Sequence, residues 1–220
     1  MITLALDAST YLGTVAVLKG DRVLVQTSAA MRGRDAEQFM PAIGQALREA
    51  GAALSGVERV VCGAGPGSFT SLRIAASIAK GIAVGRGIPL HAVSSLALIV
   101  AGNVTDGPRG ARRYLAALDA LRGESYVGEF EHDAGSVRQV GEMRLVRQED
   151  VGPAAEALGA RAVGPDQADH WSPHARGVAL LLEGIAAKGP VNLAAWEPVY
   201  GRMAEAQVKW EAEHGRELPR

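Results

Sequence analysis

Residues Ile2-Thr-Leu-Ala-Leu-Asp7 alternate large apolar side chains with small or polar ones, and two more β-rich runs follow at Thr14 to Leu18 and Val23 to Gln26. Lys19-Gly-Asp-Arg22 between the last two reads as a hairpin turn. A period of two, punctuated by turn residues, marks half-buried strands, so the chain opens as a three-stranded antiparallel meander. A helical pattern comes next. Ala36, Phe39, Met40, Ile43, Leu47 and Ala50 recur at helical spacing and Gly51 closes the run. Pro41 lacks a backbone donor, which predicts a first-turn boundary or a kink there.

Val57 to Cys62 predicts a short strand that runs into Gly63-Ala-Gly-Pro-Gly-Ser-Phe-Thr70, a glycine-rich turn, and then a helix over 71–84. Leu72, Ile74, Ala75, Ile78, Ala79, Ile82 and Ala83 occupy much of that helix's circumference, so it must bury more than one face. Gly87 to Val93 predicts another strand, and Ser94-Ser95 caps a short helix through Ala101. Asn103 to Gly110 carries two Gly, one Pro, Asn and Asp, and is the internal boundary between units 1–105 and 106–220. Beyond it, strands are predicted at Tyr114 to Ala120, Tyr126 to Glu131 and Glu142 to Val146, with a turn at Arg122-Gly-Glu124. Ala154 to Leu158 reads as a short helix and Ala162-Val-Gly164 as a strand. Ser172-Pro-His174 reads as the start of a long helix through Leu180-Leu-Leu182, and the tail from Val199 to about His214 as helical. A meander followed by β–α units, seen twice, predicts an α/β fold of the duplicated actin-like, Hsp70-like (RNase H-like) kind with two subdomains.

Composition narrows the function classes. The chain has 220 residues, 48% hydrophobic and 21% charged, with a formal net charge of -1. Nucleic-acid affinity comes mainly from phosphate neutralisation, so such a chain is a poor candidate to grip RNA alone. Arg109, Arg112 and Arg113 form the densest basic cluster and read as a solvated loop. Cys62 is the only cysteine, which leaves no disulfide and no Cys-rich zinc site, and its apolar neighbours predict burial. The N-terminus lacks a basic start with a continuous apolar stretch, and no run is long enough to span a bilayer. The expectation is a cytoplasmic protein.

Several constellations could carry chemistry. Asp7-Ala-Ser-Thr10 ends the first strand, where this fold places a phosphate-binding hairpin: amides and hydroxyls receive phosphate oxygens while the carboxylate orients a hydrated metal. Ala8 stands where Gly would let the backbone close on a phosphate. The turn 63–70 could aim amides at an anion, or be a tight corner with Ser68 or Thr70 as helix cap. It has neither a Walker A ending nor Gly-x-Gly-x-x-Gly. Asp7 with the glycine corner motivates an ATP-dependent phosphotransferase, and Asp7, Glu37, Asp119 and Glu124 motivate a carboxylate nuclease. His170 and His174 have the i, i+4 spacing of helical metal ligands, but Pro173 puts His170 outside the helix. No Gly-x-Ser-x-Gly elbow is present.

The chain resembles the TsaB family, also called YeaZ. The matching stretches are Leu4-Ala-Leu-Asp-Ala-Ser-Thr10, Gly65-Pro-Gly-Ser-Phe-Thr-Ser-Leu-Arg73, Ala79-Lys-Gly81, Gly87-Ile-Pro89, Val93-Ser-Ser-Leu96, Leu118-Asp-Ala120 with Gly123-Glu124, and Pro198-Val-Tyr200 with Glu205-Ala206. Ser71, Asp35 and Gly201 depart from the family pattern, which has Gly, His and Tyr-Leu-Arg in those places. The resemblance implies a non-catalytic paralogue of the catalytic subunit TsaD, without its metal-binding histidine pair and with no metal, cofactor or catalytic residue of its own. Its implied partners are a TsaD homologue and the ATPase TsaE, in a complex that makes threonylcarbamoyladenosine in tRNA. It implies a homodimer when the chain is alone, tRNA contact only through the complex, and no membrane. The first two helices then supply the pairing surface, with Phe39, Met40, Ile43, Leu47, Ile74, Ala75, Ile78 and Ile82 as candidates shared between core and interface. Asp7, Ser9, Thr10, Gly65, Gly67 and Ser68 would be a vestigial phosphate loop.

Overall fold

The computed structural model describes residues 1–31, 38–104, 112–133, 135–200 and 214–215. The opening meander is present as β1 (Ile2–Asp7), β2 (Leu12–Lys19) and β3 (Arg22–Ala30). It is followed by α1 (Phe39–Glu49), β4 (Arg59–Gly63), α2 (Phe69–Arg86), β5 (Leu90–Val93) and α3 (Ser95–Asn103). Pro41 sits in the first turn of α1, where its missing N–H has no intrahelical partner to lose. The second half contains β6 (Arg112–Asp119), β7 (Glu124–Asp133), β8 (Ser136–Gln139), β9 (Arg144–Arg147), α4 (Val151–Ala157), β10 (Arg161–Gly164), β11 (Asp169–His170) and α5 (Leu182–Lys188).

Strand pairing demonstrates the duplication. The first sheet runs β3-β2-β1-β4-β5, with β1–β2 and β2–β3 antiparallel and β1–β4 and β4–β5 parallel. The second runs β11-β10-β6-β7-β8, with β6–β7 and β7–β8 antiparallel and β6–β10 and β10–β11 parallel. Order and direction are the same in both. The third strand of the second sheet is broken: β8 pairs with one end of β7 and β9 with the other. The sequence pattern predicts β9 but not β8, which is equally short, nor the two-residue β11.

Among the described residues, three apolar clusters form the core. α3 lies between the two sheets and is buried from Ser95 to Gly102, which is why it carries no polar stripe. On the outer face of the first sheet, α1 and α2 cover Leu4, Leu6, Val15, Val17, Val60 and Cys62. α4 covers Leu115, Ala117 and Val127 on the outer face of the second. The helix predicted to bury more than one face, α2, buries one broad stripe through Leu72, Ala75, Ala79, Ile82 and Ala83 and leaves Ser77, Gly81, Val84 and Gly85 exposed. The helix buried all round is α3.

The long helix predicted from Ser172 does not form. A 3-10 turn covers Ala175–Leu180, the chain bends at Leu181, and α5 follows. Ser172 is not the cap; the His174 side chain accepts from Arg176 N. Tertiary bonds compete with the helix here, since His174 N donates to Leu98 O and Ala175 N to Thr14 Oγ1. After α5 the chain crosses back over the first half: Val191 N donates to Leu90 O and Val199 N to Ala64 O. The predicted tail helix lies mostly outside the described residues. Among those described, no helix is long and apolar enough to cross a membrane.

Candidate functional site

β1 ends at Asp7, β4 ends at Gly63 and α3 begins at Ser95, so these residues meet at one end of the first sheet. Asp7 is fully buried. Its Oδ1 accepts from Ser9 N at 3.0 Å and Ser9 Oγ at 2.8 Å, and its Oδ2 accepts from Ser95 Oγ at 2.6 Å. Ser95 Oγ also accepts from Gly65 N at 3.1 Å, while Ser95 N donates to Gly65 O at 2.9 Å. Ser68 N donates to Ser9 O at 2.7 Å, which fastens the glycine corner onto the β1–β2 turn. Thr10 Oγ1 serves the turn itself, sharing hydrogen bonds with the backbone of Leu12.

Two glycines make this closure possible. Gly67 has φ +152, and a Cβ there would lie 2.1 Å from Ser9 O. A Cβ on Gly63 would lie 1.9 Å from Asp7 Oδ2. The predicted loop residues Asp7, Ser9, Gly65, Gly67 and Ser68 are therefore brought together, but packed on one another. Ser95 completes the set. Its place next to Ser94 predicts a helix cap, but the α3 N-cap is Ser94 and makes no side-chain bond. Ser68 holds the N-cap position of α2 but its side chain makes no cap bond, Ser68 Oγ lying instead 3.0 Å from Ser71 Oγ, and Thr70 is already inside the helix. The returning tail closes the outer side, with the Tyr200 ring 4.7 Å from Phe69 and the Arg73 guanidinium 4.1 Å over Phe69.

Burial raises the Asp7 pKa above its ordinary value, against the lowering effect of its bonds to Ser95 and Ser9. The folded state thus binds more protons than the unfolded chain from the ordinary value near 3.8 upward, and stability is lost as pH rises through the raised value. We expect the stability of wild type minus that of Asp7→Asn to fall with increasing pH across this window in urea titrations. A difference that climbed instead would mean that hydrogen bonding outweighs desolvation.

The remaining candidates do not assemble. Among the described residues no three His, Cys, Asp or Glu side chains converge as metal ligands, and Glu37 lies outside them. Asp119 repeats the Asp7 turn in the second half, its Oδ1 accepting from Leu121 N at 2.8 Å. His170 Nδ1 lies 3.0 Å from Pro165 O on β11, whereas the His174 pKa is pushed down to about 4 by burial and by Arg176. Cys62 is buried as expected. Arg112 and Arg113 belong to β6 rather than a loop, and with Arg161 they line a shallow cleft of about 740 Å³. Glu131 pairs with Arg113 and Arg138, and Asp169 pairs with Arg161, which offsets most of that positive charge. Arg109 and Asp35 lie outside the described residues.

The helix candidates separate cleanly. Phe39, Ile43, Leu47, Ala75 and Ile82 are taken up by the molecule's own core. Ile74 and Ile78 are half-buried, and Met40 is 45% exposed. Met40, Leu54, Ile78, Gly81, Ile82, Gly85 and Arg86 line an apolar groove of about 430 Å³.

Comparison with known proteins agrees with this geometry. A family model described as TsaD, tRNA N6-adenosine threonylcarbamoyltransferase, matches residues 31–170. The tRNA threonylcarbamoyladenosine biosynthesis protein TsaB of Bacillus subtilis is 33% identical over 141 residues, 64% of this chain and 59% of the relative. TsaB of Escherichia coli is 33% identical over 137 residues, 62% of this chain and 58% of the relative. The chain thus spans under two thirds of the length of these curated relatives. The solved structure of YeaZ from Pseudomonas aeruginosa is 30% identical, with a TM-score of 0.73, covering 90% of this chain and 99% of that one. With its duplicated actin-like fold and these matches, the chain belongs to the TsaB (YeaZ) family.

Proposed function

We propose that this chain serves the making of threonylcarbamoyladenosine in tRNA as a non-catalytic subunit, holding a TsaD homologue against the exposed face of α2 and the start of α1. The observation that carries the reading is the pairing of a sealed carboxylate with an open apolar helix face. Asp7 has 0% exposure and accepts hydrogen bonds on both oxygens. A phosphotransferase carboxylate must instead meet a hydrated cation, which keeps most of its waters. The phosphotransferase reading retains only the position of Asp7 in its favour.

The helix face has the chemistry of a protein contact. Val84 is 67% exposed and Met40 45%, beside the groove floored by Ile78 and Ile82. Ser77, Gly81 and Gly85 recur every fourth residue on the exposed side of α2, and nothing lies within 4 Å of a Cβ built on either glycine. A partner helix can approach the backbone closely along such a strip. A paralogue of the same fold, or a second copy of this chain, would offer helices at the matching place, so homodimer and heterodimer compete for one surface. TsaE joins the assembled pair, and tRNA is met through the complex, in keeping with a net charge of -1.

Reconstitution tests this. Modified adenosine is measured in tRNA digests after incubation with the purified components, with and without this chain. The chain alone is expected to yield none, and its omission to bring the full mixture to background. Robust ATP hydrolysis by the isolated chain, lost in Asp7→Asn, would overturn the reading.

A further inference from the structure

Arg59 and His91 lie on the inner face of the first sheet, at the end remote from Asp7. Arg59 opens β4 opposite Thr3 of β1, and His91 stands opposite Val61, two residues further along β4. Register therefore puts Thr3, Arg59 and His91 on one face, the face that carries Ala5 and Val61 into the inter-sheet core.

Arg59 is only 7% exposed and His91 9%. A guanidinium cannot discard its proton, so a buried one is ordinarily met by a carboxylate. Here Arg59 Nε donates to Thr3 Oγ1 at 3.0 Å, and among the described residues no carboxylate pairs with the group. Its pKa is lowered by burial, with no opposing contribution from an acid. His91 is held down first by burial and also by the charge of Arg59, while the backbone of Gly189 and Ile185 pulls the other way. His91 Nδ1 is the one sealed side-chain polar atom among the described residues without a hydrogen-bond partner.

A buried cation with no acid to pair it, beside an unpartnered buried ring nitrogen that becomes a donor once the ring is protonated, is a costly arrangement that an anion would relieve. We infer that Arg59 and His91 form a binding site for a small oxyanion, a phosphate or a carboxylate group. The guanidinium fork matches two oxygens of either, and a bound anion favours the protonated imidazole, whose Nδ1–H donates a further bond while its other N–H keeps the backbone partners. The site is separate from both the Asp7 clamp and the α2 face, so its failure would leave the proposed function untouched.

Thermal denaturation of the full chain provides the test, in buffers matched in ionic strength with sodium chloride. One arm adds inorganic phosphate and the other sodium acetate, and the anion giving the larger rise in Tm identifies the group preferred. Binding to the folded state makes Tm climb with ligand concentration. In Arg59→Met that climb is expected to vanish, while the anion-free Tm exceeds wild type because an unpaired charge has left the interior. His91→Phe is expected to weaken the response. In wild-type protein labelled with 15N, the His91 Nδ1 resonance should move on addition of the active anion. Absence of any Tm response to either anion, a response retained in Arg59→Met, or an unmoved His91 signal would each overturn the inference.

Discussion

Gly67→Ala is expected to cost the chain a large part of its stability. The new Cβ would meet the Ser9 carbonyl oxygen at 2.1 Å, and the neighbouring Ser68 N to Ser9 O hydrogen bond leaves that carbonyl no room to retreat. Backbone atoms, unlike a flexible side chain, cannot swing away. Gly67 also has φ +152, outside the range an L residue adopts without strain. Overpacking, strain and the loss of the Ser68 bond together amount to about 4 kcal/mol or more. Domains of this size are stable by roughly 5–15 kcal/mol, so the variant should unfold at markedly lower urea, or fail to accumulate. Gly81→Ala serves as the control. It lies inside α2 with nothing within 4 Å of the added Cβ, and should stabilise by about 0.5–1 kcal/mol. A Gly67→Ala midpoint equal to wild type would mean that the corner does not pack on the β1–β2 turn in solution.

The same corner shows what sequence reading can reach. Asp7, Ser9, Gly65, Gly67 and Ser68 were legible as a group because they occupy two short motifs at the ends of predictable strands. That the group is closed was not legible. Closure depends on Ser95, which contacts Asp7 across 88 residues, and on Val199, whose amide reaches Ala64. Neither contact leaves a local period or spacing. The duplication could be read because each half opens on β-rich runs separated by turn residues, Lys19-Gly-Asp-Arg22 in the first and Arg122-Gly-Glu124 in the second. The stretch 172–182 misled for the converse reason. Its local signals favour a helix, but the backbone at His174 and Ala175 finds partners at Leu98 and Thr14, in the first half of the chain. For α2 the composition announced excess apolar surface. The structure supplies the division: an alanine-rich stripe against the sheet, and a glycine strip left bare.

That bare strip yields the other large effect: Gly81→Leu should keep the fold and remove the association. Position 81 is exposed, and its Cβ direction meets nothing within 4 Å, so a leucine costs the monomer no contact. It should in fact raise Tm, since glycine is about 1 kcal/mol less favourable than good helix formers inside a helix. A partner helix lying along Ser77, Gly81 and Gly85 would be pushed outward by the new side chain, and the groove beside Met40 and Ile78 would lose its complement. Affinity for a TsaD homologue is expected to fall by about 100-fold, the loss typical of breaking a central interface contact. Sedimentation of the chain alone should move from dimer toward monomer in parallel. Ile78→Glu attacks the same surface by charge. Its half-buried position makes ionisation in a closed interface costly while solvent remains within reach in the monomer. Titration calorimetry separates the outcomes: wild-type affinity in both variants, with both still folded, would move the docking surface elsewhere on the molecule. Loss in Ile78→Glu alone would place the partner over the Met40 and Ile78 side of the groove, away from its glycines.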